Sequence, residues 1–254
     1  MYAEEWFGQV GCCRPMRLPL ACLVVAACDA GLPPPKPTVA VPAPLLIPVD
    51  AMTHDDDVVR PPTKDDLEQY TRDLPGSGTL VAAIETSQGT LHCDLLADKA
   101  PLAVANFIGL ATGKKAWLDP QTNIVEHGKR FYDGLTFHRV IPEFMIQGGD
   151  PMGRGVGGPG YTFANEIAQG TAMEPGALAM ANAGLGPNGS GTNGSQFFVM
   201  EGSRPDLVAR HTIFGQCHEL DVVKKIARVP RDEMDKPSTA VTITRVSFTR
   251  PMRR

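Results

Sequence analysis

The chain has 254 residues, of which 43% are hydrophobic and 20% charged, with a formal net charge of -4. These fractions belong to a globular protein with a core, and the length allows one large domain or two small ones. A net negative charge gives no electrostatic footprint for nucleic acid, so no nucleic-acid partner is expected.

Glycine (26) and proline (23) are abundant, and much of the proline precedes Pro75. That uneven spread predicts a tail followed by a domain. The cysteines divide the same way. Cys12, Cys13, Cys22 and Cys28 lie in the first segment, and Cys93 and Cys217 lie in the domain. Two cysteines are too few for a disulfide-rich scaffold, and whether they pair is open. No Cys/His spacing suggests zinc, and neither a metal nor another cofactor is expected.

Residues 1–28 read as an address. Met16-Arg17 precedes an apolar run at 18–27, too short to span a bilayer, which ends in Val25-Ala26-Ala27-Cys28. A cation, a short apolar region and small residues describe a secretory signal. The Cys28 context resembles a bacterial lipobox, which implies cleavage before Cys28, lipidation of that cysteine and a membrane-anchored protein on the periplasmic side of the bacterial envelope. The competing reading is a cytoplasmic protein whose N-terminal segment is no signal. Met16 is the candidate start, because Glu4 and Glu5 do not suit the leading region of a signal. Residues 29–78 read as a proline-rich linker, with Pro33-Pro34-Pro35, Pro37, Pro42, Pro44, Pro48 and Pro61-Pro62. Such a segment favours extended polyproline II and builds no core. Within it, residues 63–72 predict a short helix, with Thr63 as N-cap and Asp65 and Asp66 in the first turn.

In the domain, residues 80–85 and 89–96 predict a hairpin around Ser87-Gln88-Gly89. Residues 101–112 predict a helix, with Pro101 at its first position, Gly113 as its stop, and Val104, Phe107, Ile108 and Ala111 at helical spacing. Residues 114–130 read as a polar loop. Residues 136–141 and 144–147 predict two strands divided by Pro142. Alternation puts Phe137, Arg139 and Ile141 on one face, with Met145 and Gln147 sharing a face on the second strand. The glycine-rich run GRGVGGPG lacks the Lys-Ser/Thr pair of a phosphate cradle, and predicts a mobile loop beside a site. Strands are predicted at 177–181, 195–200, 212–216 and 239–248, with a helix at 220–227. Many strands with two helices argue an all-β architecture, sandwich or barrel.

Four segments carry the chemistry: FHRVIPEFMIQGGD at 137–150, MANA at 180–183, NGSQFFV at 193–199 and RPDLVARHTIFG at 204–215. Each mixes a few polar groups with soft apolar ones. In this order they resemble the cyclophilin family of peptidyl-prolyl cis-trans isomerases, and the likeness covers residues 79–250. It implies a mainly β fold, a closed antiparallel barrel capped by two α-helices. It also implies acceleration of X-Pro rotation in proline-containing polypeptide clients. Arg139 matches the family's catalytic arginine and Gln147 the glutamine that positions it. Phe144, Met145, Phe198 and Leu207 match the walls of the proline pocket, and His211 its edge. Ala181 and Asn182 match the segment that binds the substrate backbone, and Gln196 a further polar contact. By alternation with Phe198, Phe197 faces the core. Asp206 stands where eukaryotic cyclophilins carry a tryptophan that helps bind cyclosporin. A monomer is expected. The competing reading is a chaperone or scaffold module that grips proline-containing segments with incidental turnover.

Overall fold

A computed structural model describes residues 58–187 and 189–252. The expected signal, Cys28 with its expected lipidation, and most of the expected proline-rich linker lie outside the described residues.

Helix α1 (Lys64–Thr71) forms where the helical stretch was expected. The Thr63 N–H donates to the Asp66 carboxylate at 2.8 Å, closing its first turn. The helix lies against α2 (Pro101–Thr112), and Tyr70 is buried beside Gly109. Pro101 starts α2, and Gly113 ends it at φ 76. Every residue from Ala103 to Ala111 is buried. The faces of α2 are covered by the main core and by α1, which packs against it. Glu166 accepts the N–H groups of Leu102 and Ala103 at 3.0 and 2.9 Å, filling its N-terminal donors.

The remaining elements are β1 (Val81–Thr86), β2 (Gly89–Leu95), β3 (Trp117–Leu118), β4 (Val125–Glu126), β5 (Arg139–Ile141), β6 (Met145–Gly148), β7 (Ala177–Met180), β8 (Phe197–Met200), β9 (Ile213–Cys217), α3 (Leu220–Ala227) and β10 (Ile243–Thr249). Eight of the strands form one antiparallel sheet in the order β10-β1-β2-β9-β7-β8-β6-β5. Cys93 and Cys217 face each other across β2 and β9 and form a disulfide.

The closed barrel expected from the sequence is not formed. The sheet is an open half-barrel whose ends are β5 and β10. Pro142 has no N–H to donate, and Glu143 adopts φ 61, so β5 stops after three residues. The two ends meet through one isolated bridge, Thr136 with Thr242, beside the Phe137 N–H to Val241 carbonyl bond at 2.9 Å. The short β5 also corrects the expected alternation. Phe137 precedes the strand and is buried in the main core with Val140, not on the face of Arg139. The loop expected at 114–130 contains the small β3–β4 hairpin.

Candidate functional site

The sheet register builds the site. Arg139 on β5 is paired with Gln147 on β6, Gln147 with Phe198 on β8, Phe198 with Ala179 on β7, and Ala179 with Ile213 on β9. Paired residues in an antiparallel ladder point to the same face. One row therefore carries a guanidinium, an amide and then three apolar side chains. Arg139 and Phe198 are two strand spacings apart, roughly 10 Å of backbone at ~4.8 Å each, which a long arginine can span. The adjacent row, Ile141, Met145 and Met200, is apolar throughout.

These rows form a second hydrophobic cluster, separate from the main core. Met145, Met173, Ala177, Ala179, Phe198, Met200 and Ile213 are buried in it. Phe144, Leu207, Ala181, Ile141, Leu96 and Val208 are partly buried at its rim. It thus brings together Phe144, Met145, Ala181, Phe198 and Leu207, all singled out in the sequence. His211 stands against it: its ring is edge-on to Phe198 at 5.2 Å, and Nδ1 lies 3.0 Å from the Met180 carbonyl. Burial pushes the His211 pKa down; the Met180 contact opposes this, and nearby Arg210 adds to it. The shift favours the neutral imidazole beside this cluster.

Beside the apolar cluster runs a groove of about 820 Å³. Gln147, Ala181, Asn182 and Gln196 line it, together with residues of the glycine-rich loop. Gln147 Nε2 donates to Gln196 Oε1 at 3.0 Å, and Gln196 Nε2 donates to the Gly157 carbonyl at 2.9 Å. The Asn182 amide donates to the Arg210 carbonyl at 3.0 Å and its oxygen accepts the Gly184 N–H at 3.1 Å. Its side chain thus braces the neighbouring loops.

The glycine-rich loop lies beside the site, and it is tied there. The Asp150 carboxylate accepts the N–H groups of Met152, Arg154, Gly155 and Val156 at 2.7, 2.9, 2.5 and 3.1 Å. Burial would raise the Asp150 pKa, but this ring of backbone donors outweighs it and holds the group below the usual carboxylate value. A Cβ on Gly157 would come within 2.1 Å of Asp150 Oδ1, so the wrapped loop requires glycine there. Asp150 closes the FHRVIPEFMIQGGD string, yet sequence reasoning gave it no role. Met173 was also missed, because it enters the cluster from a loop with no periodic signal. Met200 and Ala179 could have been found by alternation with Phe198 and Ala177. Leu118 reaches the groove from the unforeseen β3–β4 hairpin.

Arg139 is exposed at the head of the row, with 44% of its side-chain surface accessible, and its Nε lies 3.8 Å from Asp235 Oδ2. Asp206 sits at the rim beside Leu207, bound through both oxygens to Arg204 at 2.9 and 2.8 Å. The Arg204 guanidinium in turn lies 4.9 Å over the Phe144 ring.

The family model "Cyclophilin type peptidyl-prolyl cis-trans isomerase/CLD" matches residues 81–248. Peptidyl-prolyl cis-trans isomerase A of Mycobacterium tuberculosis is 44% identical over 174 residues, covering 67% of this chain and 92% of that protein. Peptidyl-prolyl cis-trans isomerase B of Streptomyces anulatus is 45% identical over 172 residues, covering 66% and 95%. Among solved structures, a cyclophilin type isomerase of Cryptosporidium parvum superposes with a TM-score of 0.58 at 29% identity, covering 68% of this chain and 99% of that one. The same protein was also solved in the presence of the dipeptide Ala-Pro, with a TM-score of 0.56. With the matched family model spanning the sheet, α2, α3 and the groove, the chain belongs to the cyclophilin family of peptidyl-prolyl cis-trans isomerases.

Proposed function

We propose that this isomerase accelerates X-Pro rotation by holding the proline ring in the Phe144, Met145, Phe198 and Leu207 pocket while Arg139 stabilises the twisted amide. The observation that carries this is the row Arg139, Gln147, Phe198, which sets one cation beside one apolar pocket on one face. An X-Pro bond rotates over a barrier of about 18–20 kcal/mol because resonance stiffens the C–N bond. As the bond twists, resonance is lost and the prolyl nitrogen regains its lone pair. A fixed N–H donor near that nitrogen binds the twisted state better than the planar one, and so lowers the barrier. No nucleophile is needed. Gln147 sits across the ladder from Arg139, and its link to Gln196 fixes the amide plane. The main chain of Ala181 and Asn182 and the side chain of Gln196 hold the substrate backbone along the groove. His211 stays neutral and closes the pocket edge, without an acid/base role.

The test is cis–trans exchange of an X-Pro peptide with and without Arg139. Arg139→Ala lowers kcat/KM by at least about a hundredfold, on the order of 3 kcal/mol, typical of one preorganised electrostatic group. The thermal midpoint stays close to that of the parent, because the side chain is exposed. Near-full activity in this variant would remove Arg139 from the role.

The protein works outside the cytoplasm, anchored through lipidated Cys28 at a bacterial envelope membrane, as a monomer acting on proline-containing clients. Two features support the location. Residues 17–28 carry the ordered parts of a lipoprotein signal. The Cys93–Cys217 disulfide suits an oxidising compartment. Cys28→Ala leaves an uncleaved precursor, read as intact mass from isolated membranes. A mature unlipidated chain recovered from cytosol would sink the anchor and leave the isomerase assignment untouched.

A further inference from the structure

Arg139 is flanked by a carboxylate from the segment between α3 and β10. Asp235 Oδ2 lies 3.8 Å from Arg139 Nε, and Asp235 Oδ1 accepts from Arg231 Nε at 3.2 Å. The segment is built to present that group. The Asp232 carboxylate accepts the N–H groups of Met234 and Lys236, both at 2.9 Å. Asp235 itself donates its N–H to the Asp232 carbonyl at 3.1 Å. It adopts φ 63, a left-handed conformation that Asp tolerates better than most side chains. Its carbonyl accepts the Val140 N–H at 2.8 Å. Val140 follows Arg139 on β5, so this bond pins the carboxylate beside the strand that carries the guanidinium.

We propose that Asp235 is a positioning residue for Arg139, fixing the guanidinium through its Nε edge so that the two terminal nitrogens face the prolyl amide. The proposal rests on the role assigned to Arg139 above. The guanidinium is a rigid planar fork, so orienting one edge orients the other. Without a partner, a long exposed arginine samples many rotamers, few of which aim at the substrate. A carboxylate also reduces the positive potential near the amide. Both groups are about one-third to one-half accessible, with side-chain exposures of 44% and 32%, so water and salt screen that loss of field. The orienting pull is screened as well, so the expected effect is modest, and its sign follows from the arginine rotamers that the carboxylate favours.

The experiment separates kcat from KM for X-Pro exchange in Asp235→Asn, Asp235→Gly, Arg139→Ala and the two combinations with Arg139→Ala. Asn and Gly both accept the left-handed backbone, so either variant keeps the loop if the other does not. The expected result is a loss of about fivefold in kcat for both variants, with KM within about twofold and the thermal midpoint unchanged. Combined with Arg139→Ala, neither gives a further loss, because the interaction it removes is already gone. A structural role would instead lower the thermal midpoint and add to the Arg139→Ala loss, and either result would overturn the proposal. Loss of activity in Arg139→Ala with parental kcat in both Asp235 variants would overturn this proposal alone. Full activity in Arg139→Ala would overturn the role of Arg139, and the positioning role with it.

Discussion

On one face of β6, β7 and β8, Ile146, Leu178, Met180, Phe197 and Val199 are buried with α2 and α3 against them. On the other face of the same strands, Met145, Ala177, Ala179, Phe198 and Met200 are buried under a rim of half-covered side chains. The composition of the two faces is alike; their closure differs. The first face is sealed by helices and aromatic stacking. The second keeps Phe144, Leu207, Ala181 and Ile141 partly open. Apolar area left in water is favourable to cover, at roughly 25 cal/mol per Å², so the open face has a use for a proline ring and the sealed face has none. One ladder thus makes a sealed face and, on the proposed reading, a binding face from alternate residues, and substitutions at neighbouring positions should separate the two.

The largest expected effect falls on the sealed face. Phe197 is fully buried and touches Phe107, Tyr132 and Phe137 at ring-centroid distances of 5.5, 5.7 and 6.1 Å. Phe197→Ala should cost about 3–5 kcal/mol of stability, since the surrounding rings cannot collapse into the space. Denaturant unfolding reads it, and at low denaturant KM for an X-Pro peptide should stay near the parental value. A loss under about 1 kcal/mol would break the division between the faces. Arg139→Ala is the reverse case, with a large loss of turnover and no loss of stability.

Phe198→Ala comes next. Its ring is 5% exposed, lies edge-on to His211 and is a wall of the proposed proline pocket. The site is already open on one side, so neighbours can relax and the stability cost should be about half that of Phe197→Ala. The signature is in binding: KM should rise at least about fivefold, because the proline loses a wall. Equal stability losses at the two positions, with unchanged KM in both, would show that the faces do not differ in function.

Much of this division was legible in the sequence, because alternation is a local signal. Phe197 and Phe198 fall on opposite faces by strand geometry alone, and α2 and α3 follow from Pro101, Gly113 and apolar spacing. The four chemical strings contain Arg139, Gln147 and most residues of the second cluster. What the sequence hid depends on contacts far along the chain. Phe137 broke the expected parity because β5 begins only at Arg139. Whether the ladder closes depends on how Thr136 meets Thr242, which no local pattern reports. Met173 and Asp235 enter from loops, and a half-buried aspartate in a charged loop carries no sign of its partner. The β3–β4 hairpin has two-residue strands, too short to show a period.

The smallest effect concerns two histidines, one buried beside the loop and one at the pocket edge. His138 is 6% exposed, and among the described residues neither ring nitrogen has a hydrogen-bond partner. Burial pushes its pKa below the usual 6.5; the Asp150 carboxylate opposes this, and Arg139 and Lys236 add to it. His211 is shifted the same way, again by burial first. In the unfolded chain both would titrate near 6.5, so below that pH the unfolded state binds protons that the folded state refuses. Their contribution to stability is therefore full above pH 6.5 and lost as pH falls from there toward the lower folded-state values. Asp66 and Asp150 act in a separate window, since their pKa values lie below 3.8 and their contribution is lost only as pH falls through that more acid range. The parent protein should thus show a thermal midpoint that falls as pH drops below 6.5, with Glu166, raised above 4.5 by burial, opposing the fall in its lower part. His138→Gln should flatten that slope while leaving the acid limb below pH 4 in place, because Asp150 keeps its backbone donors. An unchanged slope in both His138→Gln and His211→Gln would show that the histidines are not what titrates there, and would leave the contrast between the two faces resting on Phe197 and Phe198 alone.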